Sequence, residues 1–238
     1  MRILWVSEKT LLGFTLSLLL VHGGAMAADF DKGLKAFKSD DFKTALIEWG
    51  SLAEQGDARA QHNLGLMHSY GKGVIENHKT AVRWYTLAAN QGYIEAQYAM
   101  GVMFGAGHGV PQNDEAAIRW HTLAAEQGHA GSQFNLGNHY GYGWGVQKSD
   151  KKTLKWNALA AKQGYAAAVT KMGIFYIAGK SVVIDYERAY MWFILGEMLG
   201  DELGGKHKEM TTKEMTTTQR SNSKAMATSC IMGGLKDC

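Results

Sequence analysis

The sequence predicts an all-α fold, an α-solenoid of helix-turn-helix repeats. Three observations predict it: glycines that recur every 36 residues, helix-capping residues in the same frame, and Ala- and Trp-bearing amphipathic stretches between them. Gly56, Gly92, Gly128, Gly164 and Gly200 stand 36 residues apart. The same step links Gly65, Gly101, Gly137 and Gly173, and then Gly71, Gly107, Gly143 and Gly179. Val74, Val110, Val146 and Val182 keep it, as do Trp84, Trp120, Trp156 and Trp192, with Trp49 displaced by one. The chain carries 29 Gly against 1 Pro, a balance that suits many copies of one turn type.

The first segment reads as an address label. Arg2 and Lys9 precede an apolar run from Leu11 to Val21, and Ala25-Met26-Ala27 offers the small residues that a signal peptidase accepts, with cleavage between Ala27 and Ala28. The run is too short to span about 30 Å of hydrocarbon at about 1.5 Å per residue, so a retained anchor is the weaker reading. No Cys follows the run to take a lipid, and a protein outside the cytoplasm, periplasmic or secreted, is expected.

Residues 28–56 read as a capping helix pair, Phe30 to Phe37 and Phe42 to Leu52, with Asp41 before the second helix. Four repeats follow at 57–92, 93–128, 129–164 and 165–200. In each, the first helix holds an interior glycine. Such a glycine costs about 1 kcal/mol against Ala, so its recurrence predicts a partner helix that crosses closely. The next segment, Gly71-Lys-Gly73-Val74 and its copies, reads as a turn with glycines at positive φ and the Val folded back. Asn77, Asn113, Ser149 and Asp185 then cap a second helix. That helix ends at Gln55, Gln91, Gln127 or Gln163, each followed by the periodic glycine. The last repeat departs from the frame, with Ser181 in a glycine position and Met198-Leu199-Gly200 for Gln-Gly. Asp201 to Thr218 is Thr-rich and expected to be partly loop, and Gln219 to Met232 reads as a closing helix. Cys230 and Cys238, the only cysteines, are expected to form a disulfide that pins it.

On the pattern A-x-x-x-L-G-x-x-[YFH]-x-x-G-x-G-V followed by A-x-x-W-[YH]-x-x-A-A-x-Q-G, carried by Ala60 to Val74 and Ala81 to Gly92, the chain resembles the Sel-one-like repeat family of the tetratricopeptide superfamily. The resemblance covers about residues 29–200 and implies adaptors or scaffolds that bind other proteins. It also brings in exported cysteine-rich relatives that bind or hydrolyse β-lactams. Those relatives carry a Cys pair in each repeat, which this chain lacks.

The chemistry is sparse. With 25 basic and 22 acidic residues, and no dense Lys/Arg run, nucleic acid is excluded as a partner, and 46% hydrophobic residues exclude disorder. His62, His68 and His121 stand where other repeats carry aromatics, which reads as packing or groove lining. His121 and His139 are placed to meet between helices, but no H-E-x-x-H, nucleophile elbow, S-x-x-K pair or phosphate loop selects a reaction. Ser221 to Lys224 reads as solvated surface. No cofactor, metal or catalytic residue is expected, and membrane insertion ends with the leader.

Binding is expected on the concave side, by analogy with the wider superfamily. Steps from each interior glycine give Arg59, His62 and Leu66, then Glu95, Tyr98 and Val102, then Phe134, Asn138 and Tyr142, then Thr170 and Ile174. This mixture of apolar, aromatic and a few polar groups suits a protein or an extended peptide. Two function classes follow: an exported protein-interaction scaffold, an adaptor or regulator of an envelope protein, or alternatively an envelope enzyme or binder acting on β-lactam or cell-wall peptide.

Overall fold

A computed structural model describes residues 28–235 and Cys238; the segment expected to be a leader, with its expected cleavage motif, lies outside the described residues. Twelve helices follow one another among those residues. The opening pair is α1 (Phe30–Lys38) and α2 (Phe42–Glu54). The repeats are α3 (Ala58–Tyr70) with α4 (His78–Asn90), α5 (Ile94–Ala106) with α6 (Asp114–Glu126), α7 (Ala130–Tyr142) with α8 (Asp150–Lys162), and α9 (Ala166–Ala178) with α10 (Tyr186–Met198). The chain closes with α11 (Glu202–Thr212) and α12 (Thr217–Met232).

The caps set these boundaries. Asn77, Asn113, Ser149 and Asp185 each accept a hydrogen bond from the backbone N–H three residues on, at the start of α4, α6, α8 and α10. Gly71, Gly107, Gly143 and Gly179 close the first helices in the left-handed region. Ser181, where the frame calls for glycine, adopts the same region at φ 59°. The fold imposes this turn even where a Cβ makes it costly.

Within a pair, the interior glycine allows the close crossing. A Cβ on Gly65 would stand 2.5 Å from the Tyr85 ring, on Gly101 2.5 Å from His121, on Gly137 2.5 Å from Asn157, and on Gly173 2.5 Å from Phe193. These partners occupy one repeat position, and Trp49 occupies it in the opening pair, against Gly33. Trp49 is therefore the counterpart of Tyr85 and not a displaced copy of Trp84. All five partners are buried.

Between pairs, a glutamine clasp joins neighbours. The Gln61 side-chain amide donates to the Ala53 carbonyl, and its Oε1 accepts from Gln91 at 2.8 Å. Gln97 with Gln127 and Gln133 with Gln163 repeat the arrangement at 2.7 and 2.8 Å. This gives Gln91, Gln127 and Gln163 a second role: each lies exposed at its helix end and donates to a buried glutamine of the first helix, satisfying that side chain's oxygen. In the last repeat Val169 and Leu199 stand at the clasp positions, so the amide clasp is absent there; Val169 is buried in the core and Leu199 is exposed.

The tail differs from expectation. The Thr-rich stretch is helical over Glu202–Thr212: Asp201 caps its start, and the Thr211 and Thr212 hydroxyls donate to carbonyls four residues back. Gly204 lets α11 lie directly on the end of α10, since a Cβ there would meet the Glu197 backbone nitrogen at 2.6 Å. The closing helix begins at Thr217 behind a full capping box formed by Thr216 and Gln219. Ser223, expected at the surface, is buried with its hydroxyl on the Gln219 carbonyl. Cys230 and Cys238 lie at disulfide distance, with Cα atoms 5.3 Å apart. Leu87, Leu123 and Leu159 are exposed on the second helices, whereas Leu195 in the same register is covered where α12 packs on α10. No helix among the described residues is long and apolar enough to cross a membrane.

Candidate concave groove

Successive helices pack side by side, and α5 also touches α7, so the first helices form the inner wall. On that wall the 36-residue step repeats as a row of three clefts. The first, about 430 Å³, lies between the first two repeats and includes His62, Leu66, Glu95, Tyr98 and Val102 in its lining. The second, about 310 Å³, lies between repeats two and three, with Val102 as shared wall and Asn138 opposite. The third, about 180 Å³, is bounded by Tyr142 and Ile174. Leu66, Val102, Asn138 and Ile174 occupy one repeat position, so the clefts are in register.

The expected groove residues divide into four groups. His62, Leu66, Glu95, Tyr98, Val102, Asn138, Tyr142 and Ile174 line clefts. Arg59 is engaged at the edge, forked onto Asp57 and seated 4.2 Å over the Phe30 ring. Phe134 is half-buried and packs on Tyr165 with ring centroids 5.2 Å apart. Thr170 belongs to the interior: it is 2% exposed behind Gly196, where the close crossing of α9 and α10 shuts it off from the groove.

Several lining residues were not legible as such. Asp114 begins α6, and Trp144 and His108 sit between the paired glycines of their turns, so loops and second helices also reach the clefts. The signal was available in the frame: the residue between those glycines reads Lys72, His108, Trp144 and Lys180, a variable position inside a constant turn.

Histidines concentrate in the first three repeats. His129 caps α7 by accepting from the Ser132 N–H at Nδ1, which leaves Nε2–H to donate to Glu95 at 3.2 Å, while its ring lies 4.5 Å from Tyr98. His121 and His139 do meet, with ring centroids 6.0 Å apart, and both line the second cleft. Burial holds the His121 imidazole well below its ordinary value, at about 3, with His139 and His129 adding repulsion. Burial lowers His62 as well and raises the Tyr98 phenol. Ser132 Oγ stands 3.4 Å from His121 Nδ1. Ser132 is fully buried, however, and so weakly basic an imidazole is a poor proton acceptor, so the pair is not an accessible nucleophile and base.

Stacked helix pairs, close crossings at glycine and an inner row of clefts define the class: an α-solenoid of helix-turn-helix repeats. The chain belongs to the Sel1 repeat family, whose repeat matches residues 58–93, 94–129, 130–165 and 166–201, more than half the chain. Each match lies one residue later than the frame read from the glycines. Sel1-repeat proteins are protein-interaction scaffolds, and the fold is typically non-catalytic.

Among solved structures, a Sel1 repeat protein from Oxalobacter formigenes is similar at 31% identity and a TM-score of 0.70, over 76% of this chain and 74% of that one. Another is c5321, a protective antigen present in uropathogenic Escherichia coli strains, at 28% identity and a TM-score of 0.55. That match covers 80% of this chain but 49% of the antigen, so this chain spans about half its length. A Klebsiella pneumoniae Sel1 repeat protein shares the fold at 16% identity and a TM-score of 0.50, over 77% and 91% of the two chains. A comparison with curated proteins gives no match.

Proposed function

We propose that the protein is an exported scaffold that holds an extended segment of a partner protein in its concave groove, as an adaptor or regulator of an envelope protein. The observation that carries this reading is the register of the three clefts. One wall position per repeat faces a row of cavities, and half-exposed Tyr98 with exposed Val102 and Tyr142 offers anchors along it. Large aromatics at the centre of a groove are the usual sources of binding energy. Export is supported by the leader-like first segment and by the terminal cysteines at disulfide distance, which suit an oxidising compartment.

The test is capture from an envelope extract followed by titration of the partner recovered. Tyr98→Ala combined with Tyr142→Ala should weaken binding about thirtyfold or more for each anchor lost, with an unchanged helical circular dichroism spectrum. Leu123→Glu on the opposite, convex side should leave binding intact. If the convex substitution abolishes capture and the groove pair does not, the site is on the outer face.

A further inference from the structure

The three clefts share a frame but not a chemistry. At the first junction His78 and His108 face one another with ring centroids 4.9 Å apart. At the third, Asp150 shares its cleft with Lys171 and Lys180. The first and second clefts each hold a carboxylate with no Lys or Arg in the lining. Glu95 in the first is engaged by His129, whereas Asp114, which enters the second from the first turn of α6, has no ion-pair partner among the described residues.

The rest of that cleft points the same way. Trp144 is half exposed, stacked on Tyr142 with centroids 4.6 Å apart, and its carbonyl accepts from His139 Nδ1 at 3.1 Å. In the neutral ring that bond puts the proton on Nδ1 and leaves Nε2 as an acceptor. Asn138 lines the same cleft, and its Oδ1 is buried without a partner. A flat indole, an unpaired carboxylate, an imidazole lone pair and an orphaned amide oxygen ask for a planar cation with several N–H donors.

Resting on the groove reading above, we propose that the cleft between the second and third repeats receives an arginine side chain of the bound partner. The guanidinium lies against Trp144 and donates to Asp114, His139 Nε2 and Asn138 Oδ1. Arginine is favoured over lysine because a planar fork both stacks on a ring and reaches divergent acceptors, whereas an ammonium is a hydrated point charge.

The probe is the blocked tripeptide acetyl-Ala-Arg-Ala-amide, titrated into the isotopically labelled protein by nuclear magnetic resonance. The control is the same peptide with citrulline, which keeps the shape and loses the charge. The Trp144 indole and His139 imidazole resonances should move with the arginine peptide, and citrulline should bind at least tenfold more weakly. Asp114→Asn should cost about tenfold, the scale of one charge-assisted hydrogen bond. Trp144→Lys should abolish binding while keeping the fold, because the equivalent turns already carry Lys72 and Lys180.

Equal binding of citrulline, shifts confined to other residues, or no shifts at all would overturn the proposal. So would chitobiose moving these resonances when the arginine peptide does not, which would make the cleft a saccharide site. If the partner's affinity falls with Tyr98→Ala and Tyr142→Ala but is unmoved by Asp114→Asn, the groove reading stands and the arginine assignment fails.

Discussion

Gly173→Ala and Gly50→Ala make the same chemical change inside helices and should move stability in opposite directions. At Gly173 the added methyl would lie 2.5, 2.7 and 2.9 Å from three atoms of the Phe193 ring. Ordinary contact needs roughly 1 Å more. Phe193 is fully buried and cannot swing aside into solvent, so α9 and α10 must part. Overpacking of this kind costs about 1–3 kcal/mol, against about 1 kcal/mol gained in helix propensity, for a net loss of about 0–2 kcal/mol, centred near 1. At Gly50, inside α2, nothing lies within 4 Å of the new methyl, so the propensity gain of about 0.5–1 kcal/mol stands alone. Urea denaturation followed by circular dichroism should therefore separate the two variants by about 2 kcal/mol, with wild type between them. Gly137→Ala should fall nearer wild type than Gly173→Ala, because its nearest neighbour is the terminal amide of Asn157 and not a ring. If Gly173→Ala matches or exceeds wild type, the close-crossing argument is wrong.

Ser181→Gly should stabilise by about 1 kcal/mol, because it removes a Cβ from a left-handed turn, and the midpoint of the same urea curve reads it. His121 titrates lower in the folded protein than in the unfolded chain, so its contribution to stability is complete above about pH 6.5 and is lost as pH falls toward about 3. Between pH 7 and 4.5, wild type should therefore lose about 2–3 kcal/mol more than His121→Tyr, which borrows the residue at the equivalent position, Tyr85; equal losses would show that His121 is not the sensor. Intact mass of protein from the exported fraction should begin at Ala28 and show both thiols oxidised, and a chain that retains residues 1–27 or takes up two alkyl groups would refute the export reading.

The repeat frame was legible because its physics is local and periodic. A capping Asn77 or Asp185, a left-handed Gly71 and an interior Gly101 each leave a mark at a fixed spacing, and the structure places helices between those marks. The groove was legible only in part. Leu66, Val102 and Ile174 were found by counting from the interior glycines. Counting gave the helix position but not how closely the next helix covers it, so Thr170 was placed on the surface when Gly196 draws α10 over it. The Thr-rich tail could not be read as helix from composition, because its stability comes from Gly204 seating α11 against α10. The Gln61–Gln91 clasp and the cleft formed by Asp114, His139 and Trp144 join residues about 30 apart across different helices. Sequence by itself determined the period, the caps and the turn geometry, since each acts within a few residues along the chain. Which side chains share a cavity, and with what charge, was decided only when the helix pairs stacked, because that depends on how near each pair approaches the next.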